Sequence, residues 1–155
     1  MRLALAAVLL AAACKREARA PSLGEAISIE QPGGSASQLF TQGSEIPTGA
    51  TESFTTTREN DGRLYVHVLR GAGRTAATLQ SDGWWEVDGV APARAGEPQV
   101  MVTFEVDAQG HVSLTAREDD RRLPVKKLDA APARAAPSPL TEPDDDEDVE
   151  EEPPE

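Results

Sequence analysis

The segment from residue 96 to residue 116 alternates apolar and polar positions in two runs that are separated by a short break. Side chains that repeat every two residues share one face of a β-strand. The two runs therefore predict two strands, each with one apolar face. Their apolar positions are Val100, Val102, Phe104 and Val106 in the first run, and Val112, Leu114 and Ala116 in the second.

A loop formed by residues 108–110 fixes the register of these two strands as a hairpin. Gly110 supplies the left-handed backbone conformation that such a three-residue loop needs. Val106 then faces Val112, and both apolar sets fall on the same side of the pair. The sequence predicts a hairpin with one buried face.

Similar short segments recur from Ile27 onward, and turn residues follow each of them. No stretch between residues 27 and 116 shows a helical stripe, so the pattern predicts an all-β antiparallel sandwich or barrel. A last segment, RRLPVKKL, adds an edge strand, because Pro124 is tolerated only at an edge. The earlier segments are ISIE, SQLFT, SFTTT, RLYVHVL and WWEV.

Composition divides the chain into four predicted parts. Residues 1–13 read as a signal peptide, 14–24 as a tether, 25–129 as the folded domain, and 130–155 as a disordered tail that is rich in proline and acid. The formal charge is −12, but residues 141–155 hold ten of the 27 acidic residues and no basic residue. This tail either solvates the chain or contacts a basic surface. Without a basic stripe or an aromatic platform, nucleic-acid binding is disfavoured.

The N-terminus predicts export and lipidation. Arg2 precedes an uncharged run that ends in three alanines before Cys14, the single cysteine. The run is too short to span a bilayer and fits a secretory signal. Its end resembles a lipobox, so we expect Cys14 to be acylated and to anchor the chain to a bacterial membrane of the cell envelope. The alternative is a cytoplasmic protein with an alanine-rich leader.

Catalytic and metal-binding patterns do not emerge from the sequence. The segment from Gly71 to Ala76 matches a dinucleotide fingerprint in its letters, but too few residues follow for the helix that this site requires. His67 and His111 have no cysteine or carboxylate at ligand spacing, which disfavours a metal site. His67 alternates with apolar residues and should face away from the core. We therefore expect a protein that is not an enzyme and needs no cofactor.

From about Ile27 to Glu118 the chain resembles the substrate-binding β-domain of the DnaK-type, seventy-kilodalton heat-shock chaperones. The phrases that carry the resemblance occur in the family's order. They are IEQPGG, IPT at 46–48, Phe54 with its threonine run, VHVLRG, and DGVAPARAGEPQVMVTFEVDAQG.

The resemblance implies a twisted β-sandwich whose loops hold an extended peptide, with a hydrophobic pocket for one large aliphatic side chain. Leu64 would lie at the centre of this pocket. Gln31 would contact the peptide backbone, and Pro32 and Thr57 would form an arch over it. The residues that would line the pocket are Ile29, Phe54, Val66 and Val100.

The expected function is binding of exposed hydrophobic segments of unfolded polypeptides, as a holdase or adaptor. The nucleotide-binding domain, the interdomain linker and the helical lid of the family are not recognised in this sequence, so neither nucleotide binding nor ATPase activity is expected. The alternative is a structural or protein-interaction sandwich that kept the fold and lost the groove. In that case the pocket positions are ordinary core, as their alternation alone would indicate.

Overall fold

The computed structural model describes residues 20–133, which form nine strands and one short 3₁₀ helix, Ala76–Thr78. The predicted signal peptide, Cys14 and the acidic residues 141–155 lie outside the described residues. The strands are β1 (Ile27–Glu30), β2 (Ala36–Phe40), β3 (Thr48–Phe54), β4 (Arg63–Arg70), β5 (Gln80–Asp88), β6 (Val100–Val106), β7 (Val112–Glu118), β8 (Arg121–Leu123) and β9 (Val125–Leu128).

The strands form two antiparallel sheets that pack as a sandwich. One sheet has the order β2-β1-β4-β5-β9, and the other has the order β3-β6-β7-β8. Every strand pair in both sheets is antiparallel. The all-β fold class is confirmed, and of the sandwich and the barrel it is the sandwich that forms.

The apolar faces of the two sheets meet in one continuous core. Phe104, Val102 and Val87 are completely buried there. Each Å² of apolar surface that this core removes from water stabilises the fold by about 25 cal/mol, and the sum is the main favourable term in folding. Because β6 and β7 alternate inward and outward positions, most of their polar residues face solvent.

The hairpin of β6 and β7 has the predicted register. Val106 lies opposite Val112, and this pairing continues along the strands. The N–H of Asp107 donates to the carbonyl of His111 at 3.0 Å and closes the loop, in which Gly110 has a φ of 85°. Glycine adopts this conformation without the steric cost that a β-carbon brings.

Strand β3 differs from its prediction. The sequence placed a strand at SFTTT, but β3 spans Thr48–Phe54, and the threonines after Phe54 belong to a loop. Thr51 and Glu52 lie at exposed positions at the edge of the sheet, so the segment carries little apolar periodicity. Its pairing with the completely buried face of β6 supplies the stability that its own composition does not.

Pro124 lies between two strands instead of inside one. β8 ends at Leu123 as an edge strand of the four-stranded sheet, and β9 begins at Val125 as an edge strand of the other sheet. The carbonyl of Pro124 accepts the N–H of Asp88 at 3.0 Å. Since proline has no N–H to donate, it occupies the position where the chain crosses between sheets.

The neighbouring indoles of Trp84 and Trp85 point to opposite faces of β5. Trp85 packs into the core, and its indole N–H has no partner among the described residues. Trp84 stacks on His67 with ring centroids 4.0 Å apart. His67 lies on the outer face, as predicted, where its ring also contacts Glu30 and Ser81.

The domain boundaries stay a prediction, to which the structure adds one observation. Leu23, which the sequence assigned to the tether, is 4% exposed and belongs to the core cluster. Its N–H donates to Ser44 at 2.9 Å, and its carbonyl accepts from Gly43 at 2.8 Å. Among residues 20–133, no helix has the length and apolar character to cross a membrane.

Candidate functional site

The five predicted apolar pocket residues come from four strands and both sheets, and the structure brings them together. Ile29, Leu64, Val66 and Val100 belong to one buried cluster, and the partly buried Phe54 packs against it. Phe54 lies directly opposite Val100 in the pairing of β3 with β6. Residues that are far apart in the chain therefore belong to one apolar core.

Burial is not equal across this group. Ile29, Val66 and Val100 are at most 2% exposed, whereas Leu64 is 9% exposed and Phe54 is half-buried. Leu64 and Phe54 are therefore the members of the group that solvent reaches. Leu64 is the first inward residue of β4, so it lies beside the loop that joins β3 to β4.

Gln31, the predicted polar contact, and Pro32, one predicted side of the arch, lie in the tight turn between β1 and β2. Gln31 donates its N–H to Ser35 and accepts the N–H of Gly34, so the turn is closed on both sides. Pro32 is exposed at its tip, and Gly33 and Gly34 have φ values of 86° and 77°, which favour glycine.

A neighbouring loop supports the β1–β2 turn from outside. The N–H of Ala76 donates to the carbonyl of Gly34 at 2.9 Å, and the N–H of Ala36 donates to the carbonyl of Arg74 at 2.9 Å. These bonds connect the turn to the segment that contains the fingerprint-like Gly71–Ala76. That segment continues only into the three-residue 3₁₀ helix, so its role in the described structure is to brace the turn.

Thr57, the other predicted side of the arch, lies in the loop between β3 and β4, apart from Gln31 and Pro32. Its side chain is exposed, while the preceding Thr56 is 3% exposed. The loop between β5 and β6 supports this region, because the N–H of Gly96 donates to Thr56 at 2.9 Å and that of Asn60 donates to Ala93 at 2.8 Å. The β1–β2 turn and the β3–β4 loop are thus each hydrogen-bonded to a second loop that supports it.

Sequence reasoning missed Glu118, which fixes the start of the β5–β6 loop. Its carboxylate is 9% exposed, accepts the N–H of Ala91, and also pairs with Arg121. The signal was present in the alternation: Glu118 follows Val112, Leu114 and Ala116 at the next inward position. A carboxylate at an inward position requires hydrogen-bond donors, and the N–H of Ala91 is one.

Comparisons with known proteins place the chain in one family. The model of the Hsp70 protein family matches residues 22–138. The chain is also similar to the chaperone protein dnaK of Emiliania huxleyi, of Cyanidioschyzon merolae and of Cyanidium caldarium, with 37% identity over 92 residues in each case. These matches cover 59% of this chain and 15% of each relative, so the chain corresponds to a small part of the length of these chaperones.

The comparisons correct one expectation from the sequence. A protein that is not an enzyme was expected, but the Hsp70 and DnaK homologues are ATPase chaperones, which contradicts a non-enzymatic assignment drawn from this relationship. The chaperone relationship itself agrees with the resemblance seen in the sequence. By the match over residues 22–138, this chain belongs to the Hsp70 family.

Proposed function

We propose that the domain binds extended, hydrophobic segments of unfolded polypeptides. The observation that supports this most directly is that Ile29, Phe54, Leu64, Val66 and Val100 belong to one apolar cluster, of which solvent reaches Leu64 and Phe54. Membership of the Hsp70 family supports the same class of ligand.

The proposed recognition combines backbone hydrogen bonds with one side-chain pocket. An extended peptide presents N–H and C=O groups along its length, and the β1–β2 turn with Gln31 and the β3–β4 loop with Thr57 would pair with them. A single aliphatic side chain of the peptide would enter beside Leu64 and Phe54, the two group members that solvent reaches. Burying one such side chain contributes about 1.5–3 kcal/mol, which is enough to set a preference.

Pro32 and Thr57 are proposed as the two sides of an arch over the peptide. Both are exposed, and each sits on a loop that hydrogen bonds hold from behind. Pre-formed loops reduce the conformational entropy that binding would otherwise cost. Neither residue is buried in the core, so both remain available for contact.

Fluorescence anisotropy with a labelled, leucine-rich heptapeptide tests this proposal. The wild-type chain is expected to give a saturable signal, and Leu64→Phe should fill the pocket and weaken binding about tenfold or more, which is 1.4 kcal/mol or more. Leu114→Phe makes the same change at another buried position, opposite Phe104 on the hairpin, and should leave the affinity of the folded chain unchanged.

Two results would overturn the proposal. One is the absence of saturable binding by a chain whose circular dichroism and unfolding transition are those of a folded β-protein. The other is an equal effect of Leu64→Phe and Leu114→Phe, which would mean that Leu64 acts only through core packing. Either result would favour the structural sandwich without a groove.

Anchoring through Cys14 is a separate proposal that the sequence alone supports. Cys14 lies outside the described residues, and its test is incorporation of radiolabelled palmitate into the wild-type chain, with Cys14→Ser as the control. Labelling that depends on Cys14 would support a place at the cell envelope. Equal labelling of both chains, or none, would remove that support.

A further inference from the structure

Two arginines lie side by side on the outer face of the four-stranded sheet. Arg117 of β7 is the cross-strand neighbour of Arg122 of β8, and both side chains are exposed. Like charges that are directly opposite in an antiparallel pair destabilise it. This arrangement is therefore costly unless an anion lies close to both guanidinium groups.

Within residues 20–133, no carboxylate forms an ion pair with Arg117 or Arg122. Arg117 donates to the backbone carbonyl of Asp119 at 3.2 Å, which leaves its charge unneutralised. Asp120 lies near both arginines and pairs with neither. The nearby Arg121, in contrast, has the carboxylate of Glu118 as its partner.

Two adjoining surface hollows lie beside the arginines, and Arg122 lines both of them. One, of about 430 Å³, is lined by Thr115, Ala116, Arg117, Asp120 and Arg122. The other, of about 360 Å³, shares Thr115 and Arg122 and continues over apolar side chains. Those side chains are Leu114, Leu123, Pro124 and Val125.

The second hollow lies where an edge of the sheet is open. β8 pairs only with Ala116, Arg117 and Glu118, so the part of β7 from Val112 to Thr115 has no strand on that side in the described structure. An extended segment can lie along such an edge. The surface thus offers two cationic groups, an apolar floor and room for an extended chain.

We propose that the acidic tail of this same chain, residues 141–155, docks on the surface formed by Arg117 and Arg122. Ten of its fifteen residues are acidic and none is basic, which complements the arginine pair. The described domain as a whole does not attract the tail, because residues 20–133 contain 16 acidic and ten basic side chains and so carry net negative charge. Attraction is therefore local to places where basic side chains lack partners.

Chain length allows the tail to reach this surface. Arg122 precedes Leu128, the last residue of β9, by six residues and so lies within about 20 Å of it. Fifteen residues separate Leu128 from Asp144, the first residue of the longest acidic run, and this segment can extend over about 50 Å. A tether of this length gives the tail a local concentration of the order of millimolar, so weak contacts suffice.

Amide NMR spectra of the full chain test this proposal against a full-length variant in which the aspartates and glutamates of residues 141–155 are replaced by asparagine and glutamine. At about 0.01 M salt the amide signals of Thr115, Arg117 and Arg122 should differ between the two chains. At about 1 M salt, where the Debye length is about 3 Å, the difference should disappear. With Arg117→Gln and Arg122→Gln together, neutralising the tail should no longer change the spectrum.

Arg74→Gln is the matched control, because Arg74 is exposed in a distant loop and its side chain has no partner in the described structure. This variant should retain the response to tail neutralisation. The proposal fails if the tail variant leaves Thr115, Arg117 and Arg122 unchanged, or if the changes fall instead on Gln31 and Thr57 in the candidate peptide site. It also fails if dilution abolishes the difference, since the tail would then bind to a second copy.

Discussion

The carboxylate of Glu118 accepts the backbone N–H of Ala91, with its two oxygens at 3.2 and 3.0 Å from the nitrogen. This interaction joins the end of β7 in one sheet to the loop that leaves β5 in the other. Because that loop also donates from Gly96 to Thr56, Glu118 contributes to the support behind the β3–β4 loop. A buried carboxylate thus stabilises the frame of the candidate site without touching a ligand.

Glu118→Ala should lower the free energy of unfolding by about 1.5–3 kcal/mol, because the N–H of Ala91 loses its charged acceptor. Arg121 is exposed and regains water, so its lost ion pair adds little. Urea denaturation measures the change, with Glu105→Ala at an exposed position of β6 as the control. Equal midpoints for the two variants would contradict the role of Glu118.

Arg70→Gln should also destabilise the domain. Arg70 donates from Nε to Asp82 at 2.8 Å and from Nη2 to the carbonyl of Gly110 at 2.9 Å, so it connects the end of β4 to the loop of the opposite hairpin. Its side chain and that of Asp82 are each 18% exposed. We expect a loss of about 1.5–3 kcal/mol in urea denaturation, while Arg74→Gln, in the loop after β4, should lose much less. A loss in Arg74→Gln as large as that in Arg70→Gln would argue against the connection.

Acidification should weaken the β6–β7 loop through Asp107. Its pKa lies below the ordinary value because the backbone N–H groups of His111 and Gln109 donate to the carboxylate, against a smaller opposing effect of burial. A lowered folded-state pKa means that the group's stabilisation is complete above the ordinary aspartate pKa of about 3.9. It is lost as the pH falls from that value through the lower folded-state pKa.

NMR titration of the Asp107 carboxyl carbon measures this pKa directly. The titration midpoint should fall below that of the same residue in the urea-unfolded chain. Asp107→Asn supplies the comparison for stability, since its unfolding midpoint should lack this contribution to the pH dependence. A folded-state midpoint at or above the unfolded one would refute the assignment.

The two neighbouring phenylalanines should differ in their contribution to stability. The rings of Phe54 and Phe104 lie 6.1 Å apart, but Phe104 is completely buried and Phe54 is half-buried. Phe104→Ala should cost about 3–5 kcal/mol, a large share of a typical domain stability of about 5–15 kcal/mol. Phe54→Ala should cost less in urea denaturation and should instead reduce peptide affinity. A larger loss of stability in Phe54→Ala would contradict this division.

The strands with one buried face could be predicted from the sequence because their alternation is a direct record of burial. β6 and β7 show this best, since their completely buried positions are apolar and Gly110 marks the turn. The bounds of β3 could not be predicted, because a mostly exposed edge strand has no alternation of apolar and polar residues. Its position depends on its pairing with β6. For the same reason the sequence could not show that RRLPVKKL divides between two sheets at Pro124.

The candidate site divides along similar lines. Ile29, Leu64, Val66 and Val100 could be named from the sequence through a family resemblance, but their alternation alone would have indicated only core. Their convergence with Phe54, the loops braced by Ala76 and Gly96, and the pairing of Glu118 with Ala91 required the tertiary structure.

The sequence by itself determined the all-β class, the hairpin register and the uneven distribution of charge, because these depend on neighbours along the chain. The tertiary structure decided which sheet each strand joins, which loops support each other, and that Arg117 lies beside Arg122. These relationships arise between segments that are brought together only when both apolar faces are buried against each other, so no local pattern records them.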